Sequence, residues 1–379
     1  MAEKTRFLFI DLLRGLAILV MIEVHVFNAF ITPSLKETHW FGVLNFVNGL
    51  VAPSFLFISG FAFIISTQNK HEELSKFGTL FWRKTRRIGL IFLLGYSLHL
   101  PFFSLAKTIR EVTPQLWISF YNVDILQNIA IGLLFLLIAR AIIKSDKFFF
   151  NFIVISCAIF IFVSPFIWEH DFAHYLPLPI ASYFNSVYGS FFPLFPWIGF
   201  LLAGAVCSIL FLKSREINNE KSYIMQVAAL GLILLAAGHF YLSPIFPKTY
   251  TATKPHPMFF LERLGYVLLF LSLSWYFMKL LPTKGIIIIE MGRESLLIYY
   301  LHLQIIYRKF LNGESLDSIA GGSYGIWQCI FYTLTLIILM VIVASIWGGY
   351  KRRHKKGAKY VTVAVVSVAV ILFLLIQNY

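Results

Sequence analysis

Apolar runs of roughly twenty residues recur along the chain with short polar segments between them, which is the pattern of helices that cross a bilayer. They fall at about 7–31, 42–67, 88–106, 124–143, 147–166, 190–212, 223–243, 259–280, 286–308, 326–349 and 359–377. No fixed-period repeat relates them, and no matched pair of interrupted helices marks two inverted halves. The predicted fold is an all-α polytopic membrane protein, a bundle of about eleven transmembrane helices. Residues 1–350 read as one membrane domain, and 351–379 as a basic loop followed by an additional C-terminal transmembrane helix. Asp11, Arg14 and His25 interrupt the first run, and no small-residue cleavage site follows it, so a mature helix is expected there and not a signal peptide.

Composition and charge sharpen this picture. With 59% hydrophobic and 13% charged residues and a mean hydropathy of +0.77, the chain lies outside the range of soluble domains. An N-terminus in the cytoplasm puts twenty-two Lys and Arg on inner segments and seven on outer ones, so that orientation is predicted. The net charge of +14 is then a consequence of topology, and nucleic acid is not expected as a partner. Cys157, Cys207 and Cys329 stand in separate apolar runs without metal or redox spacing and read as packing residues.

Four polar segments carry further signal. The segment 68–87 places Leu74, Phe77 and Phe81 at helical spacing before Trp82-Arg83-Lys84-Thr85-Arg86-Arg87. It reads as an interfacial helix whose basic end meets anionic lipid, and it also suits the phosphates of a cytosolic nucleotide-like ligand. The run 351–356 reads as a topology determinant only. The segment 166–189, with Glu169, His170, Asp171 and His174, is expected to be a folded rim, since its spacing matches no metal motif. The segment 244–258, with four prolines, is expected to be an extended cap.

Polar residues in and beside the predicted spans divide by depth. Asp11, Arg14, Glu290, Arg293 and Glu294 fall in the inner half; His25, Asn28, His39, His99, Asp124, Gln127, Glu262, Arg263 and His302 fall near the outer face. Asp11 with Arg14, and Glu290 with Arg293, have the i,i+3 spacing of intrahelical pairs, which competes with contact to a ligand. Arg14 and His25 lie eleven residues apart, so both project from one helix face about 16 Å apart. A desolvated imidazole is neutral and can act as a general base when a second group holds its other nitrogen, a role open to Glu262 or Asp124. Asn28, one turn on from His25, is placed to donate to a developing oxyanion or to bind the acceptor. Ser295, Tyr299 and His302 share one helix face and form the expected second polar wall. Glu23 points away from His25 and reads as a packing or pairing residue, while His99 and His239 read as structural.

Several stretches, taken in order, resemble a known family. They are Arg6…Ile10-Asp11…Arg14-Gly15 followed by His25, Ala52-Pro53…Ser59-Gly60, Arg83…Arg86-Arg87 with Gly95…His99-Leu100-Pro101, Val123-Asp124…Gln127, Phe192-Pro193…Pro196-Trp197-Ile198-Gly199, and Gly292-Arg293…Tyr299…His302. Together they resemble transmembrane acyltransferases related to heparan-α-glucosaminide N-acetyltransferase and, more distantly, membrane O-acyltransferases that modify surface polysaccharides. The resemblance implies acetyl-CoA (acyl-CoA) as donor on the cytosolic side, a glycan or amino-sugar acceptor reached from the outer side, and a histidine that promotes transfer between them. In the surface-modifying branch that histidine corresponds to His25; in the glucosaminide branch it lies just ahead of the second helix, where this chain has His39. The latter branch has an asparagine at the position of His25 and an acidic residue at that of Gly49.

The expected catalytic set is therefore His25, His39, Asn28, Glu262 and Asp124. Arg14, Arg83, Arg86, Arg87 and Arg293 are expected to bind the cofactor, and Gln127, Ser295, Tyr299 and His302 the acceptor. No metal is expected. Whether His25 acts directly or as an acyl carrier stays open. Membrane lipids and a second copy of the chain complete the expected partners, and the location is integral to a bacterial inner (cytoplasmic) membrane. A transporter or flippase for a polar metabolite or lipid-linked sugar is the rival reading, because a polar path through spans also describes a transport route.

Overall fold

The computed structural model describes residues 7–245, 255–280, 287–309 and 313–376, apart from the side chains of 239–245. Lys4, Arg6, Lys284, the His239 side chain and most of the expected cap at 244–258 lie outside the described residues. The principal helices are α1 (Leu8–Phe30), α2 (His39–Asn48), α3 (Val51–Thr67), α4 (Thr79–Leu98), α5 (Ile125–Ile142), α6 (Asp146–Phe162), α7 (Leu194–Glu216), α8 (Glu220–Ile245), α9 (Pro257–Leu280), α10 (Ile287–Arg293), α11 (Ser295–Tyr307), α12 (Ile326–Arg353) and α13 (Lys355–Leu375). Among the described residues there is no β-strand, only a bridge between Ile31 and Tyr324.

Among the described residues, seven segments are long and apolar enough to cross a membrane: His39–Thr67, Ile125–Ile142, Leu194–Glu216, Glu220–Gly238, Pro257–Leu280, Ile326–Arg353 and Lys355–Leu375. The other four expected spans coincide with helices of different character. α1 contains Asp11, Arg14 and Glu23, α4 opens with four cations, α6 has 17 residues, and α10 and α11 are separated at Glu294. The third span is also shifted. α4 runs from Thr79 and stops before Leu100-Pro101, because proline disfavours helical backbone in the residue ahead of it. Arg83, Arg86 and Arg87 are thus helical and exposed, not part of a loop. The interfacial helix expected over 68–87 is interrupted as well: a short helix, His71–Ser75, ends before Phe77, whose φ of 48° is left-handed.

The chain forms two compact units, one of Met1–Val51, Leu100–Trp117 and Met278–Tyr379, the other of Ala52–His99 and Ile118–Phe277. In the first, α1 buries Phe9, Ile10, Leu12, Leu13, Ile18, Ile22 and Val26 and packs on α10, α11 and α12. The closest approach is at two glycines. A Cβ on Gly292 would stand 1.9 Å from the Asp11 carbonyl oxygen, and one on Gly15 would stand 2.0 Å from that of Ile288. Hydrogen bonds from Gly322 N–H to Ala29 O and from Tyr324 N–H to Phe30 O tie the end of α1 to the segment before α12. α12 then runs antiparallel to α1, so its last turn returns to the end of α1 that holds Asp11. α13 exposes Val363, Val365 and Leu375, as a helix surrounded by hydrocarbon would, and its end accepts a hydrogen bond from the Ser104 hydroxyl.

In the second unit, Phe57, Phe61, Phe200, Phe211 and Phe260 are fully buried, and α3 crosses α7 with Gly204 against the Phe57 carbonyl. Here too a small residue lets two backbones touch.

Gly292→Leu should therefore destabilise the first unit by about 2 kcal/mol or more, because the α1 backbone at Asp11 and Gly15 occupies the space of the new side chain. Thermal unfolding of the detergent-solubilised chain checks this. Gly42→Leu, where nothing stands within 4 Å of an added Cβ, is expected to leave the midpoint unchanged.

Candidate functional site

Two polar clusters lie at opposite ends of α1, both inside the first unit. At the Asp11 end the intrahelical pairs expected from spacing are present: Arg14 lies 3.9 Å from Asp11, and Arg293 contacts Glu290. They are also joined across helices. Arg293 Nε lies 3.7 Å from Asp11 Oδ2, Arg352 pairs with Glu290, and Lys351 donates to Glu294 Oε2 at 2.7 Å. Asp11 and Glu294 are buried, so these partners offset a desolvation cost that an isolated carboxylate would carry in full. The run 351–356 is consequently more than a topology determinant, since its first two residues close this network. Four cations face three carboxylates, which leaves one positive charge over.

At the other end, α1 and α11 run side by side in the same direction and bring His25 next to His302, with ring centroids 5.3 Å apart. His302 is 0% exposed. Its Nδ1 lies 2.8 Å from the Ile298 carbonyl oxygen, one turn back. A carbonyl can only accept, so Nδ1 carries the proton and the neutral ring keeps its lone pair on Nε2. That Nε2 is buried without a hydrogen-bond partner. Tyr307, the last residue of α11, places its hydroxyl 3.4 Å from the His25 carbonyl and 3.3 Å from His25 Nδ1. If the hydroxyl donates to the carbonyl, its oxygen accepts from Nδ1–H, and Nε2 becomes the basic nitrogen of His25.

The remaining expected residues are distributed differently. Tyr299 is buried with its ring 5.9 Å from that of His302, whereas Ser295 stands nearly two turns back at the start of α11. Asn28 is exposed, and its carbonyl accepts from Lys36. His39 is exposed at the first position of α2. Glu23 turns away from His25 toward Asn48, as its position on the helix requires.

Asp124, Gln127 and Glu262 belong to the second unit. Asp124 caps α5 through the Ile125 N–H and lies 3.6 Å from His99 Nε2. Glu262 lies 3.6 Å from Arg263, whose guanidinium stacks over Phe259. Gln127 is fully buried against Gly95, and neither of its amide atoms has a hydrogen-bond partner. The segment 166–189 forms a folded rim. Its Asn185 amide donates to the His170 and Ile167 carbonyls. Desolvation raises the Asp171 carboxyl, but hydrogen bonds from the Ala173 N–H and the Tyr188 hydroxyl, together with His174, bring it below the usual carboxylate value. Among the described residues no group of three or more His, Cys, Asp or Glu is arranged to hold a metal.

Tyr307 was not selected from the sequence. A tyrosine closing an apolar helix usually marks the membrane boundary, and only its place five residues after His302 sets it near the histidine cluster.

Residues 6–243 match the family model described as heparan-alpha-glucosaminide N-acetyltransferase, catalytic. Among curated proteins no relative matches the chain. The matched stretch contains His25 and Arg14; His302, Tyr307, Arg293 and α12–α13 lie beyond it.

Asp11→Asn should leave Arg14 and Arg293 without their shared carboxylate and lower stability by about 2–3 kcal/mol. Arg293→Met in that background should cost less than it does alone. A double-mutant cycle on thermal unfolding reads the coupling, and additive losses would show that the contact carries no energy.

Proposed function

Because the chain belongs to the heparan-α-glucosaminide N-acetyltransferase catalytic family, we propose that this membrane protein transfers an acetyl group from cytosolic acetyl-CoA to a glycan or amino-sugar acceptor on the outer side. The observation that carries the reading is the His25–His302–Tyr307 cluster, joined by α1 and α11 to the ionic network at their other end. The proposed topology has eleven crossings and a cytoplasmic N-terminus, in the inner membrane of a bacterium. Helix directions within the first unit agree with it: α1 and α11 run one way, α12 the other, and α13 returns.

In this reading acetyl-CoA supplies an activated acyl carbonyl, and the protein supplies position and a base. His25, held at Nδ1 by Tyr307, takes the proton from the acceptor hydroxyl or amine through Nε2 and later delivers it to the departing thiolate. The acceptor heteroatom gains the acyl group, the thioester bond breaks, and the proton ends on the coenzyme A sulfur. His302 stands beside that ring, with 5.3 Å between centroids, as the second imidazole of the site. Tyr299 would line the acceptor side of the pair.

Two sets of guanidinium groups are proposed for the phosphates: Arg14 and Arg293 on the first unit, Arg83, Arg86 and Arg87 on the second. The first two already engage carboxylates, so phosphate would compete with Asp11 and Glu290. The last three are exposed.

His25→Ala is expected to lower acyl transfer at least about 100-fold, the range of a lost general base, while the protein still inserts and binds acetyl-CoA. Release of free coenzyme A thiol on adding acceptor measures it; an active variant would remove His25 from the mechanism. His39→Ala should keep activity, and loss there with retention in His25→Ala would transfer the role to His39. Reversing Arg86 and Arg87 to Glu should weaken acetyl-CoA binding in a salt-sensitive way, whereas unchanged affinity would leave those residues with lipid and topology alone.

A further inference from the structure

The α12–α13 turn lies beyond the stretch that matches the family and is not used by the proposed chemistry. We propose that it forms a binding site for a phosphate-bearing anion at the membrane surface. Tyr350, Arg352, Arg353, His354, Lys355 and Lys356 line a concavity of about 580 Å³, and no carboxylate is among its lining residues. Arg352 is partly neutralised by Glu290. Arg353, Lys355 and Lys356 are exposed and make no ion pair among the described residues, so three cations within four positions face one hollow. One further feature favours an anion. The hollow sits at the start of the 21-residue α13, whose N-cap residue, His354, gives no side-chain hydrogen bond to the first-turn N–H groups, so these keep their donor capacity beside the positive end of that helix.

Placement narrows the ligand class. α12 and α13 both have the length and apolarity of membrane spans and are joined through His354, so the turn between them stands at the boundary of hydrocarbon and water. A guanidinium beside two ammonium groups suits a phosphate, through a directed fork and mobile point charges. Two sources share that chemistry: the headgroup of an anionic phospholipid, and the phosphate groups of a soluble nucleotide.

The test uses the full chain in nanodiscs of phosphatidylcholine alone or of equimolar phosphatidylcholine and phosphatidylglycerol, with retained lipid quantified by mass spectrometry after extraction into mild detergent. Retention of phosphatidylglycerol over phosphatidylcholine is expected. The variant R353Q/K355Q/K356Q should lower it at least about tenfold, given the contribution of each basic residue near an anionic surface. K144Q/K147Q, which removes two exposed cations elsewhere, should leave it intact. If 3′,5′-ADP displaces the lipid from the unaltered chain, the site stands and also takes a soluble phosphate; if it does not, the lipid is the ligand. Should the triple variant fail to insert, K355Q and K356Q are measured singly, each with partial loss expected. Retention equal to that of the unaltered chain in the triple variant or in both single ones, or equal loss in K144Q/K147Q, overturns the proposal.

Discussion

The contact between Gly15 of α1 and Gly292 of α10 is the constraint from which the rest of the first unit follows. A side chain on either glycine would overlap the opposing backbone, so this is where the two helices touch and where their relative register is set. His25 and His302 each stand ten residues beyond their glycine. At 1.5 Å per residue both reach about 15 Å from the crossing, and the imidazoles meet although α10 and α11 are interrupted at Glu294. The same contact sets Asp11, one turn before Gly15, against Arg293, the residue after Gly292. One steric fact thus produces both polar clusters.

The two clusters solve the burial of polar groups differently. At the Asp11 end, every carboxylate meets at least one cation, which is how charge persists in a low-dielectric setting. At the His25 end rings meet rings. Two imidazoles and the Tyr307 phenol come together there, with the Asp317 carboxylate near enough to act on the phenol, and among the described residues the His302 Nε2 is buried without a hydrogen-bond partner. Buried polar atoms are usually hydrogen-bonded, and an unpartnered one calls for an explanation. One end is held by charge pairs; the other sets aromatic rings and a buried imidazole together.

Sequence patterning revealed the helices, the i,i+3 ion pairs, the folded rim at 166–189 and the candidate status of His25 and His302, because each depends on local spacing. It missed what depends on packing across helices. The role of Lys351 and Arg352 required knowing that α12 returns antiparallel to the carboxylates of α10. The start of α4 at Thr79 was obscured because its basic first turns resemble a loop, while Pro101 ended it earlier than its apolar run suggested. Tyr307 gave no periodic signal. Asp124 and Glu262, weighed as partners for His25, lie beside His99 and Arg263 in the second unit, while His302 and Tyr307 meet the His25 ring within the first.

The central claim is that His302 and Tyr307 act through His25 as one assembly. A double-mutant cycle on kcat/KM for acetyl transfer, with His302→Gln and Tyr307→Phe singly and together, tests it most directly. The account predicts that each substitution lowers kcat/KM and that the pair together loses clearly less than the product of the two separate losses. Losses that multiply, each independent of the other, would contradict it.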